Sequence, residues 1–562
     1  MGIVKRLYLY GVSAISLLVL AVGIENLAAV ALGQIADVLG TTVIAGESSG
    51  REQLSLAIAL VVVGAPVFAI HWWLITRGWA GPEEASADDR QSAIRAFHMA
   101  LVATVSIAVA MYAAQRLLEP VFGAILGVDR ADAPWGDGRV VDNVALLLIA
   151  APVWWLHVTR RNADLRHDRL HGASAWLTRL NRYGWAFVGL MTLLIGASQL
   201  ILTLASALLG QSDIGGGQGW SVGILATSLA AIVAGFVVWW LHADDARRAI
   251  RDAALIGEDD RSTALRATYF GAVLLVAVAS AGLTVAGSIT ELGRVLLGVA
   301  DQTGVRAFLE SVLGPLLVAV PFVVAGWLHW RAMRGEAAHA GATALAAAER
   351  LRLHLTALIG ITFLTVGVAR LGALLLELVL RQAGADDLFR RELVWCIAQI
   401  VVGSVLWLPA WSTIVARRTV APVAERLAKT ARAYLLLVVG GALIAVVPSA
   451  VFALFRLIDT ALGGRSADLG SDLPIPLAVV AVGAVVAAYH GRLVVSDIRL
   501  AAAQQPDVAT PTATVEGIDG APLVITPASL TLILRGEHGE DLEAVAAALR
   551  DHLPPGVLLE GS

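Results

Sequence analysis

Long apolar runs come in pairs along this chain, and the pairs recur at a nearly fixed period. The first run of each pair opens near a basic residue, often followed by an aromatic: Arg6 (RLYLYG), Arg95 (RAFHMA), Arg179 (RLNRYG), Arg266 (RATYFG), Arg352 (RLHLTA) and Arg432 (RAYLLL), in steps of 89, 84, 87, 86 and 80 residues. The second runs cover 54–77, 142–160, 220–242, 309–330, 392–415 and 473–491. Each is about long enough to span a bilayer. They also end alike, in APVFAIHWW, APVWWLH, VVWWLH, AGWLHW, LWLPAW and AAYHG. That alignment stacks His71, His157, His242, His329 and His490 in one column, with Pro409 in the fifth place. Two independent columns stepping together mark an internal repeat.

The fold class implied is an all-α polytopic membrane protein of six tandem two-helix units, about twelve spans. The units run over about 1–94, 95–178, 179–265, 266–351, 352–431 and 432–500. An even number of spans per unit gives every unit the same orientation, so the repeats are parallel and not inverted. Composition agrees, with 57% hydrophobic residues and 15% charged, against roughly 25% charged in soluble globular chains. The first runs are long. Arg266 to Gly298 is 33 residues, about 50 Å as a helix, which requires tilt or projection beyond the hydrocarbon.

About 27 Lys and Arg lie in the N-terminus and between pairs, against about 8 in the loops inside pairs. The positive-inside rule then places both termini in the cytoplasm. After about Leu500 the character changes. Residues 501–512 read as a linker, and 513–562 as a small cytoplasmic α+β domain: strands in TATVEGI, SLTLILRG and GVLLEG, and a helix in EDLEAVAAALRDHL. A net charge of −4 suggests no nucleic-acid partner. The expected partners are the lipid bilayer and a protein bound through the tail. The single cysteine, Cys396, lies in an apolar run and reads as a packing residue.

An opening arginine helix, a long apolar hairpin and a closing Trp-Trp-x-His resemble the bacterial membrane family called domain of unknown function 5671. The best-matching residues are Trp154, Trp155, His157, Trp239, Trp240, His242, Trp327 and His329. The resemblance implies a unit of four transmembrane helices, three of which would cover about residues 1–500. It implies no activity.

Two groups of residues are candidate sites. The Trp/His column, followed by arginines such as Arg160, Arg161, Arg247 and Arg248, has the composition of an interfacial belt or a headgroup-binding rim. The sharper alternative is bis-histidine haem or quinone binding. Against haem, ligand histidines sit deeper, each needs its second nitrogen held, and one repeat lacks the residue. The second group is a polar layer within the first helices, Glu25, Arg116, Gln199, Glu291, Arg370 and Arg456, at 18–25 residues from the helix starts. Such residues reach the outer headgroups or face a shared interior, where Glu25 or Glu291 would neutralise Arg370. No nucleotide, zinc-protease or serine-hydrolase motif is present. No catalytic residue, metal or cofactor is expected. The function expected is that of a structural, partner-binding or accessory membrane protein, with a transporter or channel using the polar layer as the alternative.

Overall fold

A computed structural model describes residues 3–38, 47–79, 83–127, 140–167, 170, 172–208, 217–251, 263–301, 304–381, 386–463, 469–504, 513–516 and 522–525. The first helices of the pairs are α1 (Ile3–Val38), α4 (Ala93–Ile125), α6 (Gly172–Leu208), α8 (Ala264–Leu296), α10 (Ala342–Arg381) and α13 (Lys429–Ala461). The second helices are α2 (Glu47–Trp79), α5 (Val140–His167), α7 (Gly217–Arg251), α9 (Val305–Ala340), α11 (Asp387–Val420) and α15 (Pro474–Gln504). Short helices α3 (Glu83–Arg90), α12 (Pro422–Arg426) and α14 (Leu469–Asp472) lie in connections. Among the described residues twelve helices are long and apolar enough to cross a membrane. A helix is the form that satisfies every backbone polar group without water. Prolines interrupt none of them: Pro66, Pro152, Pro321 and Pro409 lie inside second helices, and Pro448 lies inside α13.

The chain divides into two units, 1–491 and 492–562. In the first, helices pack in chain order. Each of α1, α4, α6 and α8 contacts its own second helix, the next pair's first helix and the next pair's second helix. The first helices thus form a continuous row from α1 to α13. Among the described residues no extensive contact joins α1 to α13. In the second unit, β1 (Ala513–Glu516) pairs antiparallel with β2 (Pro522–Ile525), Ala513 opposite Ile525. The expected strand in TATVEGI is therefore present, and β2 is an addition to the sequence reading. The strands expected in SLTLILRG and GVLLEG and the helix in EDLEAVAAALRDHL lie outside the described residues.

Glycines set the closeness of three pairs. A Cβ on Gly189 would collide with the backbone nitrogen of Trp239, one on Gly235 with that of Leu193, and one on Gly403 with that of Leu364. At Gly360 it would lie 2.5 Å from the Trp407 nitrogen, and at Gly64 3.0 Å from that of Leu20. These pairs, α1/α2, α6/α7 and α10/α11, are backbone-to-backbone contacts of the small-residue kind. Their glycines share a register. Gly23, Gly196 and Gly367 each come 17 residues after Arg6, Arg179 and Arg350. The chain therefore carries a longer period of about 171 residues, in which a glycine-packed pair is followed by one joined mainly through side chains.

Candidate functional site

The starts of the first helices and the ends of the second helices lie together, and five of the six first helices carry there a buried or half-buried arginine tied to a carboxylate at the end of its own hairpin; Arg432 of α13 is exposed. Arg6 binds Asp88 and Asp89 of α3. Arg95 makes a bidentate contact with Asp164 of α5, at 2.7 and 3.0 Å, and a third bond to Asp89 at 2.9 Å. Asp89 also accepts a hydrogen bond from Tyr10 at 2.6 Å, and so joins the first two hairpins. Arg182 of α6 and Arg161 of α5 share Asp245 of α7, at 2.9 and 2.8 Å. Arg266 binds Glu336 of α9. Arg350 holds Glu425 of α12 through two bonds of 2.9 Å. Glu425 lies outside the spanning helices, and those bonds from Arg350 hold its carboxyl below the ordinary glutamate value.

In the third and fifth hairpins the ties to Asp245 and Glu425 are made by Arg182 and Arg350, close to the Arg179 and Arg352 that open the runs. One register correction follows. Counted from Gly403 as His71 is counted from Gly64, the residue in the fifth histidine position is Ala410 rather than Pro409.

The Trp/His column divides into an outer and an inner set. Trp155, Trp240 and Trp327 are 63%, 45% and 54% exposed on the outside of the bundle, where Arg331 lies 4.7 Å over the Trp327 ring. An exposed indole with a cation beside it suits a headgroup boundary. Trp154 and Trp239 turn inward, and His157, His242 and His490 are buried, each at most 3% exposed. All five histidines are held in one way. The Nδ1 of His71, His157, His242, His329 and His490 donates to the carbonyl four residues earlier, at 2.7–3.0 Å. The second nitrogen is therefore held in every case, against the sequence-based objection to ligation. For a bis-histidine haem between neighbouring column members, however, Trp72 stands against His157 and Trp154 against His242.

The inner rings form three equivalent triads, one per 171-residue period. They are Tyr10–His98–His157, Tyr183–Tyr269–His329 and His354–Tyr434–His490, with successive ring centroids 5.2–5.9 Å apart. His98 and His354, which lie in first helices, were not among the sequence candidates. The available signal was that His98 stands three residues after Arg95, as Tyr269 stands three after Arg266.

The polar layer of the first helices does not converge on a shared set of partners. Arg116 pairs with Glu119 and Glu291 with Arg294, both at i,i+3 and 2.7 Å. Glu25 accepts from Asn26, Gln199 is exposed, and Arg456 binds Asp472 of α14. Arg370 is neutralised by Glu377 and Glu392, at 3.0 and 3.1 Å, and not by Glu25 or Glu291. A cavity of about 670 Å³ opens beside Arg370, lined by α10, α11, α13 and α15 and by Arg294 of α8. Cys396 is fully buried.

No curated protein and no solved structure matches the chain. The sequence model of the family described as Domain of unknown function (DUF5671) matches three times, over residues 6–136, 179–324 and 350–485. The matches open at Arg6, Arg179 and Arg350, the arginines from which the glycine register counts, and each holds one glycine-packed pair. Together they cover well over half of the 562 residues, so this multi-pass, helical membrane chain belongs to the DUF5671 family in three tandem copies.

Proposed function

We propose that the protein is a structural, partner-binding component of a bacterial plasma membrane, built from six parallel hairpins with both termini in the cytoplasm. The observation that carries this reading is that charge within the spans is neutralised locally. Arg6, Arg95, Arg182, Arg266 and Arg350 are each held by a carboxylate of their own hairpin, Arg95, Arg161 and Arg391 by one of an adjacent hairpin, and Arg116, Arg294, Arg370 and Arg456 by residues of the same helix, its partner helix or the adjoining connection. A transport path needs polar groups directed at a common water-filled interior. A row of hairpins packed in chain order supplies a scaffold. The tail beyond Gln504 is its partner-binding element. One observation favours transport as a second reading, the cavity beside Arg370.

Cysteine labelling tests both orientation and function, in a Cys396→Ala background. Leu462→Cys should react with an impermeant thiol reagent on whole cells, and Val420→Cys only after lysis. The reverse pattern overturns the orientation. Cysteines at Thr362, Val366, Ala369 and Ala373 along the α10 side of the cavity should resist a water-soluble reagent applied from either side. Labelling at all four would establish an aqueous path and replace the scaffold by a transporter.

A further inference from the structure

The three ring triads are not chemically alike. In the second, the donors run in one direction. Trp239 Nε1–H donates to Tyr269 Oη at 3.4 Å, Tyr269 O–H donates to His329 Nε2 at 2.9 Å, and His329 Nδ1–H donates to the Ala325 carbonyl at 2.7 Å. The third repeats it with Trp407, Tyr434, His490 and the Val486 carbonyl, at 3.4, 3.5 and 3.0 Å. Every polar atom in those two relays has a partner.

In the first triad both donors are replaced together. The position of Trp239 and Trp407, four residues after Gly235 and Gly403, is Phe68, four after Gly64. The position of Tyr269 is His98. His98 Nδ1 donates to the Tyr10 carbonyl at 3.1 Å, and His157 Nδ1 donates to the Val153 carbonyl at 2.8 Å. A carbonyl only accepts, so both rings are fixed as the tautomer whose Nε2 carries a lone pair. Both Nε2 atoms are buried with no hydrogen-bond partner. His98 and His157 are 3% and 1% exposed. An unsatisfied buried acceptor is destabilising, and here two occur in adjacent rings.

Two neutral imidazoles with lone pairs, held from behind by carbonyls, are a ligand set with its outer shell already made. The nearby carboxylates are committed elsewhere: Asp89 to Arg6, Arg95 and Tyr10, and Asp164 to Arg95. That leaves two nitrogens, too few for zinc, which takes four ligands. A monovalent ion with a filled d shell accepts two ligands in line, and imidazole suits copper. With metal–nitrogen bonds of about 2 Å, two such rings sit with centroids about 6 Å apart. The His98 and His157 centroids are 5.8 Å apart. We propose that His98 of α4 and His157 of α5 form a two-coordinate site for copper(I).

The test uses the full-length protein in detergent, anaerobically and with excess reductant, titrated with copper(I) against a chromophoric chelator. Wild type should withdraw one copper per chain, and X-ray absorption should show nitrogen ligands at about 2 Å. His157→Phe should withdraw none, and His329→Phe should retain the copper. His98→Tyr gives the first triad the hydroxyl of the other two, so it should unfold no earlier than wild type and yet withdraw no copper. Wild type that competes no better than His98→Tyr overturns the site. So does copper retained in both His98→Tyr and His157→Phe, or a spectrum dominated by sulfur.

Discussion

The two ends of the same helices handle charge differently. At the basic end, arginines are buried and reach across to another helix: Arg95 to Asp164, Arg182 to Asp245, Arg350 to Glu425. Toward the opposite end, Arg116 and Arg294 are about a quarter exposed and pair three residues away on their own helix. The first kind of pair fixes how two helices meet. The second neutralises a charge near a boundary and fixes nothing beyond its own turn. The difference shows where the fold is held. Hairpins are fastened by buried ion pairs at the end where chain enters and leaves, while the inter-helix ties at their far ends, such as Arg370 to Glu392 and Arg391 to Asp301, are more exposed.

The largest effect should come from Asp245, the single carboxylate shared by Arg161 and Arg182. Asp245→Asn removes the carboxylate that two buried arginines share, at a cost of about 3–5 kcal/mol, and a large fall in the detergent melting temperature is expected. Next comes the distance the ties must span. Gly235→Ala places a methyl group against the Leu193 backbone and should cost about 1–3 kcal/mol. Gly271→Ala in α8, whose added Cβ would meet only leucine methyls at 3.7 Å, should be close to neutral. Equal effects at the two glycines would remove the distinction between glycine-packed and side-chain-joined pairs.

Acid provides a gentler probe. The Glu425 carboxyl is held below its ordinary value of 4.5. A depressed carboxylate contributes stability that is complete above the unfolded pKa and is lost as pH falls through the folded one. Melting temperature should therefore drop below about pH 4.5 by more in the wild type than in Glu425→Gln. Parallel curves would show that the pair contributes nothing. Smallest of all, Glu291→Leu at the far end, whose partner Arg294 is like it about a quarter exposed, should cost about 1 kcal/mol or less.

The twelve apolar helices and the tandem repetition are legible because hydrophobicity, tryptophan and histidine recur along the chain. The ties were half legible. The arginines were visible as helix openings, but which of two does the work depends on the face it presents. Arg350 and Arg352 are two residues apart and point in different directions on one helix. Their partners Asp164, Asp245, Glu336 and Glu425 lie in segments that read as polar connections, where an acidic residue is unremarkable. The proposed meeting of Glu25 with Arg370 rested on equal depth along each helix. Depth does not specify azimuth or neighbour, and packing in chain order gave Arg370 the nearer Glu377 and Glu392. His98 is not legible as a site residue because the histidine column runs through the second helices, and His98 lies in a first helix.

The most direct test of hairpin self-neutralisation is a double-mutant cycle on Arg350 and Glu425, whose side chains are equally buried and joined by two bonds. Thermal unfolding in detergent would be followed for Arg350→Leu, Glu425→Leu and the double variant. Each single change should strand the other's charge, so the double variant should lose less than the sum of the singles, by about 0.5–3 kcal/mol. Strict additivity would mean that the two residues stabilise the fold through separate partners, and would contradict the account.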